Sequence, residues 1–557
     1  MELDRRKLIQ IGAVLLVPAC GKSDSHATPA QPPPPTPLPG DAGAHEVPAR
    51  DLEEVSIAEL AHRMETKAET ARSLVAKYRA RIDAIDRAGP SLRAVLETDP
   101  DAEMVADKLD AERAAGKVRG PLHGIPLLVK DNIDTAGKLT TTAGSLALEG
   151  SVAPKDAFAI AKLREAGAII LGKTNLSEWA NLRGAPSVSG WSGRGGQTKN
   201  PYALDRTPSG SSSGSAAATA ASLCAGSLGS ETDGSIVSPA SMSSLVGIKP
   251  TVGLVSRNGV IPISSSQDTL GPIARTVADV AIILTAIAAA DPDDPKPTLP
   301  VPGRPSANVD YTKALDPKAL AGVRLGVPRA GFFGTHRGLD SAMTAALAKL
   351  KELGAVLVDP VELPSPAKLA AIELEVLQVE LKATLAAYLA TRGDGVKVHS
   401  LADVIAFDTA HADRELSLFG QELFEQAQAK GAMTDATYLA ARKQCVDIAR
   451  TQVIDKLMAD HKLDAFVAAT GSPAWLIDPV LGDAGSGPPT TIYPAVAGYP
   501  HVTVPMGFTS SLPVGLSFLG KPWSEAQLLA YAFAFEQATK HRRPPRYLAT
   551  AALGPET

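Results

Sequence analysis

Between Arg206 and Ser241 the sequence reads RTPSGSSSGSAAATAASLCAGSLGSETDGSIVSPAS, dense in serine and glycine and without histidine. A serine hydroxyl attacks a carbonyl carbon only when a base takes its proton. Histidine is the usual base. The nearest candidate, His123, lies in PLHGIP, where the neighbouring proline and glycine predict a turn. The alternative is a lysine held neutral, and because a free lysine has a pKa of about 10.4, burial or a cationic neighbour must lower it. Lys130 ends the apolar run IPLLVK and has a setting suited to partial burial; a solvated lysine at a strand end is the competing reading. The glycines of SGSSSGS allow tight turns and close approach of a substrate to the backbone. ETDGS ends in Gly234-Ser235, where successive N–H groups could converge on one oxygen, as an oxyanion hole requires. SAAATAASLCAG, between the two loops, predicts a small-residue helix that packs closely and holds them together. A purely structural Gly/Ser loop fits the same composition, and the residues alone leave both readings open.

Two tempting motifs fail on context. Gly167 to Thr174, GAIILGKT, matches the phosphate-loop pattern, but its middle residues are Ala, Ile, Ile and Leu and it follows a helical segment, so it reads as a buried strand. Gly210 to Gly214, GSSSG, matches the nucleophile elbow with Ser212 at its centre, yet the preceding LDRTPS is polar and proline-containing where an apolar strand is needed.

The elements around these residues alternate. SIAELAHRMETKAETARSLVAKYRARIDAID carries apolar positions Leu60, Met64, Ala71, Leu74 and Ile82 at helical spacing and predicts two helices. ADKLDAERAAG, DAFAIAKLREAG, ADVAIILTAIAAAD, SAMTAALAKLKELG and WSEAQLLAYAFAFEQAT predict further helices, and the text from Lys368 to Leu457 is mostly helical. IPLLVKDN, AIILGKTN, GVRLGVP, AVLVDPVEL, KLDAFVAAT and HVTVPMGF predict strands. Strands rich in Val and Ile interleaved with helices imply an α/β fold with a sheet buried on both faces. No internal repeat is present.

At 557 residues, 45% hydrophobic and 21% charged, the chain is long enough for a large core and is globular in composition. With 60 acidic residues against 55 Lys and Arg and no basic-aromatic stripe, nucleic acid is not an expected partner. The histidines are scattered, without the spacing of a metal site. MELDRRKLIQIGAVLLVPAC joins a basic start to an apolar stretch, Leu8 to Val17, too short to span a bilayer stably, and Arg5-Arg6 partly matches a twin-arginine export signal. LVPAC resembles a lipobox, with Cys20 as the lipidated residue; an ordinary signal peptide is the competing reading. The expectation is export to the periplasm or cell envelope, with membrane attachment only through that lipid. Residues 1–19 are then the signal, 20–50 a proline-rich extended tether, and 51–557 the globular domain. Of the other cysteines, Cys445 and Cys224, the latter reads as a buried free thiol.

Taken together, these motifs resemble the amidase signature family, the Ser-cisSer-Lys hydrolases. PLHGIPLLVKDNIDTAG is similar to its lysine segment, SGSSSGSAAATAA to its Gly/Ser motif, and GSETDGSIVSPASMSSLVGIKPTVGLVS to its nucleophile segment. GAIILGKTNLSEWA, SSQDTLGPIARTVADV, GYPHVTVPMGF and LPVGLSFLGKPWSEAQLL also fit, so the resemblance covers nearly all of residues 52 to 545. It implies a large, mixed, twisted sheet covered by helices on both faces, with a signature core at about 119–285 and a helical specificity region at about 365–460. It implies Lys130 as base, Ser211 as bridging serine after a cis bond, and Ser235 as nucleophile, with N–H groups of Thr232, Asp233, Gly234 and Ser235 receiving the oxyanion. It implies no cofactor and no metal, and a small amide or short amidated peptide, with water, as reactants.

The commoner family form of the nucleophile segment is GTDTGGS; here Glu231 replaces Asp and Asp233 replaces Gly. That form resembles bacterial peptide amidases and implies release of ammonia from C-terminally amidated peptides. A broad aliphatic, aryl-acyl or fatty-acid amide hydrolase and a non-catalytic, lipid-anchored binding protein of the same fold are the alternatives. The tRNA-dependent amidotransferase branch of the family is disfavoured by the export signal. Specificity is expected between residues 365 and 480, where Trp475 sits in a Gly/Pro-rich stretch that either borders a pocket or packs as an ordinary loop.

Overall fold

The apolar runs predicted as strands do pair into a sheet, in company with runs that carry no apolar signature. The structure is a computed structural model that describes residues 49–305, 309–485 and 487–552, with backbone only at residue 394. The expectations for the signal segment, Cys20 and the tether lie outside the described residues.

In chain order the strands are β1 (Val95–Thr98), β2 (Pro126–Lys130), β3 (Ile169–Thr174), β4 (Trp191–Ser192), β5 (Gly196–Gln197), β6 (Gly226–Glu231), β7 (Val246–Lys249), β8 (Thr269–Ala274), β9 (Arg324–Pro328), β10 (Val356–Val361), β11 (Ala465–Ala469), β12 (His501–Thr509) and β13 (Leu512–Leu519). β4 and β5 form a small ribbon; the other eleven make one sheet, ordered β1-β3-β2-β6-β8-β7-β12-β13-β11-β9-β10. The sheet is mixed. β3, β2 and β6 run parallel, β8, β7, β12 and β13 pair antiparallel, and β11, β9 and β10 are parallel again. Successive strand residues point to opposite faces. Every residue of β2, β3, β6, β7, β8, β11 and β13 is buried, so both faces of the sheet are covered there.

The helices follow the predicted periodicities. The first long segment gives Ile57–Glu65 and Ala71–Arg81, and the serine hydroxyl of Ser56 and the Thr70/Ser73 capping box satisfy their first N–H groups. The stretch from Lys368 to Leu457 contains helices Ala367–Leu389, Leu401–Ala410, Glu422–Gln428 and Ala436–Val446. Within Gly167–Thr174, Ile169–Thr174 form the buried strand β3, and Gly167 and Ala168 lead into it from the preceding helix Phe158–Glu165. Cys224 and Cys445 are free and buried.

Candidate active site

The small-residue stretch folds back on itself. Helix Ser213–Ala220 rises about 1.5 Å per residue away from the first serine loop, and β6 returns beside it. All eight helix residues are buried. Small side chains permit this: a Cβ at Gly214 would lie 2.6 Å from the Asn175 carbonyl oxygen. The out-and-back path brings the ends together, with the Ser212 N–H donating to the Ser235 carbonyl at 3.1 Å. β2 runs parallel to β6, with Val129 beside Leu228. Lys130, the last residue of β2, therefore emerges at the same carboxyl edge, where open α/β sheets place their sites.

Lys130 is fully buried. Its Nζ lies 2.8 Å from Ser211 Oγ, 3.1 Å from the Ser230 carbonyl oxygen and 3.0 Å from Ser230 Oγ. Burial pushes the amine down to about 7, against an upward pull from the carboxyls of Asp268 and Glu231. The solvated strand-end reading of this lysine is thus corrected: the side chain is enclosed, with its amine against Ser211 and Ser230. A neutral amine offers one lone pair and two N–H groups. The Ser230 carbonyl can only accept, so the lone pair is left to a hydroxyl proton, and Ser211 stands in reach. Its preceding peptide bond, Gly210-Ser211, is cis.

The turn after β6 carries Ser235. Glu231 is buried, and its carboxylate accepts the N–H groups of Ile236 at 2.7 Å and Val237 at 3.0 Å, pinning the start of helix Val237–Met242. Gly234 has φ of +75°, and a Cβ there would lie 2.9 Å from Ser238 Oγ, so the turn needs glycine. Among the described residues, no hydrogen bond engages the Ser235 hydroxyl or the N–H groups of Asp233 and Ser235. The Gly234 N–H faces the Glu231 carboxyl. The Thr232 hydroxyl donates to Asp268 at 2.6 Å. Burial pushes the Asp233 carboxyl up, with Thr491 opposing and the Glu231 carboxyl adding to it.

The other candidates separate from this cluster. His123 Nδ1 accepts the Arg119 N–H at 3.3 Å and its Nε2 donates to the Leu109 carbonyl at 2.9 Å, so neither nitrogen is left to serve a serine. Ser212, centre of the apparent nucleophile elbow, donates to the Ser230 carbonyl at 3.1 Å and precedes a helix without following a strand. Trp475 donates from Nε1 to Asp483 at 3.1 Å, and its carbonyl accepts the Thr207 N–H at 2.9 Å, four residues before Ser211. It is packed into a loop beside the approach to the serine segment. Sequence reasoning missed Ser230 and Asn132, whose Nδ2 donates to Ser230 Oγ at 2.9 Å. Ser230 lies in the quoted nucleophile segment and Asn132 two residues after Lys130, but nothing in their types marks Ser230 as bonding the lysine or Asn132 as bonding Ser230.

Known proteins resemble the chain over most of its length. The Amidase family model matches residues 74–529. The peptide amidase of Stenotrophomonas maltophilia, known from its X-ray structure, is 50% identical, with a TM-score of 0.84 over 89% of this chain and 99% of its own. A probable amidase of Arabidopsis thaliana is 42% identical over 89% of this chain and 92% of its own length. An amidase family protein from Bacillus anthracis, known from its crystal structure, is 32% identical, with a TM-score of 0.80 over 89% of this chain and 93% of its own. A match across most of the chain places the protein: it belongs to the amidase family, as an amidase-signature hydrolase closely related to bacterial peptide amidase.

Proposed function

We propose that the protein hydrolyses the C-terminal carboxamide of peptides, releasing ammonia, through an acyl-enzyme on Ser235. The observation that carries this reading is the buried Lys130 amine 2.8 Å from Ser211 Oγ at the foot of the Ser235 turn. Identity of 50% to a peptide amidase supports the substrate class. Ser235 Oγ attacks the amide carbon. Its proton passes to Ser211 Oγ as the Ser211 proton passes to the Lys130 lone pair. The carbonyl π pair moves to oxygen, where backbone N–H groups of the 232–235 turn receive it, those of Asp233 and Ser235 first because the Gly234 N–H faces the Glu231 carboxyl; such donors are each worth about 3–4 kcal/mol. The intermediate collapses, the C–N bond breaks, and Ser211 delivers a proton to the leaving nitrogen while Lys130 returns one to Ser211. Water repeats the attack on the ester through the same relay, giving the carboxylate and free Ser235.

The reaction class is tested with a panel read by ammonia release: amidated peptides, free dipeptides, anilides and fatty amides. Turnover of amidated peptides and none of free dipeptides is expected; release confined to anilides or fatty amides overturns the peptide-amide preference. Ser211→Ala is expected to lower kcat about 10²–10³-fold, the range of a lost proton-relay group, while the thermal unfolding midpoint stays near that of the parent. We further propose that the chain is exported, anchored through Cys20, and divided as residues 1–19, 20–50 and 51–557; the N-terminal motif supports this. Mass spectrometry of the mature N-terminus tests it, since an unmodified N-terminus away from Cys20 rules the anchor out.

A further inference from the structure

Thr232 is held at both of its polar ends by two successive residues. Glu231 pairs with Thr269 at the end of the antiparallel β6–β8 ladder, so the chain beyond each strand brings Thr232 to Asp268 and Gln267. Asp268 accepts the Thr232 hydroxyl at 2.6 Å, and Gln267 Nε2 donates to the Thr232 carbonyl at 3.3 Å. The same nitrogen donates to Glu373 Oε1 at 2.7 Å. The Thr232 carbonyl can only accept, which fixes the end of the side-chain amide that faces it as nitrogen. Glu373 and Glu380 lie two turns apart on one face of helix Ala367–Leu389. Glu380 grips the same loop, accepting Ser264 Oγ at 2.5 Å and the Ser266 N–H at 3.0 Å. Gln267 and Glu380 are fully buried and Glu373 is 6% exposed.

A peptide unit is planar, and in the trans form its C=O and N–H point in opposite directions. The Thr232 carbonyl shares its peptide unit with the Asp233 N–H, one of the donors in the proposed oxyanion site. Fixing the carbonyl therefore aims the N–H. We propose that Gln267, anchored by Glu373, is a positioning residue that aims the Asp233 N–H at the oxyanion, an inference that rests on the reading of Ser235 as nucleophile. By this link the helical region sets the rate of the chemical step and not only the outline of the pocket.

The test uses Gln267→Met, which keeps the side-chain length and removes both N–H groups. With an amidated dipeptide, kcat is expected to fall about 10–100-fold with KM within about threefold, as for a weakened oxyanion donor. A peptide aldehyde, whose adduct with a serine presents an oxyanion, is expected to bind more weakly by a similar factor, while the carboxylate product binds as before. A structural role alone would shift the unfolding midpoint without separating aldehyde from product. Glu373→Ala is expected to give the same pattern with a smaller loss, and Glu373→Gln, which keeps an acceptor oxygen, to recover most of it. If Gln267→Met does not fold, Gln267→Asn, whose amide is withdrawn by one methylene, is expected to show the same split. Unchanged kcat and aldehyde affinity, or equal losses for aldehyde and product, overturn the inference. A Ser235→Ala enzyme that still turns over would overturn the nucleophile reading itself; an inactive Ser235→Ala beside an unaffected Gln267 variant sinks only the positioning role.

Discussion

Ser235→Ala is expected to lower kcat/KM toward an amidated peptide by on the order of 10⁴-fold or more, the scale seen when a covalent nucleophile is removed. The assignment depends on which hydroxyl is available. Ser211 and Ser230 are engaged with Lys130, Ser212 with the Ser230 carbonyl and Ser213 with the Ser209 carbonyl. Ser235 alone of these five makes no side-chain hydrogen bond among the described residues, and it follows a turn fastened by Glu231. Because the hydroxyl bonds to no protein group, its loss should leave the unfolding midpoint nearly unchanged, separating a chemical defect from a folding one. A fluorophosphonate probe should label the parent at Ser235 and leave the variant unlabelled. Turnover that survives the substitution moves the nucleophile to another residue.

How far the sequence reveals this site varies with the kind of signal. IPLLVK and GAIILGKT announce buried strands because their apolar residues are continuous, and both are strands. β6, with the sequence GSLGSE, carries no such signal and reads as loop, although it is the strand that leads into the turn of Ser235. Its burial comes from close backbone packing, which a Gly/Ser composition permits but does not announce. Lys130 illustrates the same limit for chemistry. Its type and position allow either a solvated or a neutral lysine, and the choice is made by its burial against Ser211 and Ser230, 81 and 100 residues away along the chain. The contacts of Gln267 with Glu373 span 106 residues. A glutamine after SSS and a glutamate in a long helix have no local pattern that joins them. Motif resemblance points to Lys130, Ser211 and Ser235, whereas the contacts of Ser230, Asn132 and Gln267 arise only from the fold.

The polar surroundings of Lys130 are balanced in a way that makes pH the sharpest probe of it. Burial lowers the amine, and Asp268 and Glu231 partly oppose that fall, so it settles at about 7. A deeper fall would leave a weaker base, and a smaller one would leave the amine protonated at neutral pH. Asp268 is itself pushed up to about 6 by burial, with the Thr232 hydroxyl and two backbone N–H groups opposing. Asp268 therefore acts on the lysine through its charge and on the Thr232 hydroxyl through a hydrogen bond.

Lys130→Met is expected to lower kcat/KM by about 10³-fold or more at pH 7–8, as loss of the base in a coupled catalytic unit does. In the parent, a protonated amine cannot accept the Ser211 proton, so log(kcat/KM) should fall with unit slope as pH drops below about 7 and level off above it. The residual activity of the variant should lack that limb. Stability gives an independent readout of opposite character. The amine takes its proton at about 7 in the folded chain and near 10.5 when unfolded, so between those values the unfolded chain binds more protons and stability rises with pH. Lys173 and Lys249, also buried and lowered to about 8, add to the same slope in both proteins. The difference between parent and variant isolates Lys130: urea unfolding from pH 7 to 10 should show the parent gaining stability relative to Lys130→Met. A variant that keeps both its activity and an acid limb near 7 would mean that another group is the base. Loss of activity without the change in slope would mean that Lys130 is protonated in the folded enzyme and holds Ser211 in place without accepting its proton.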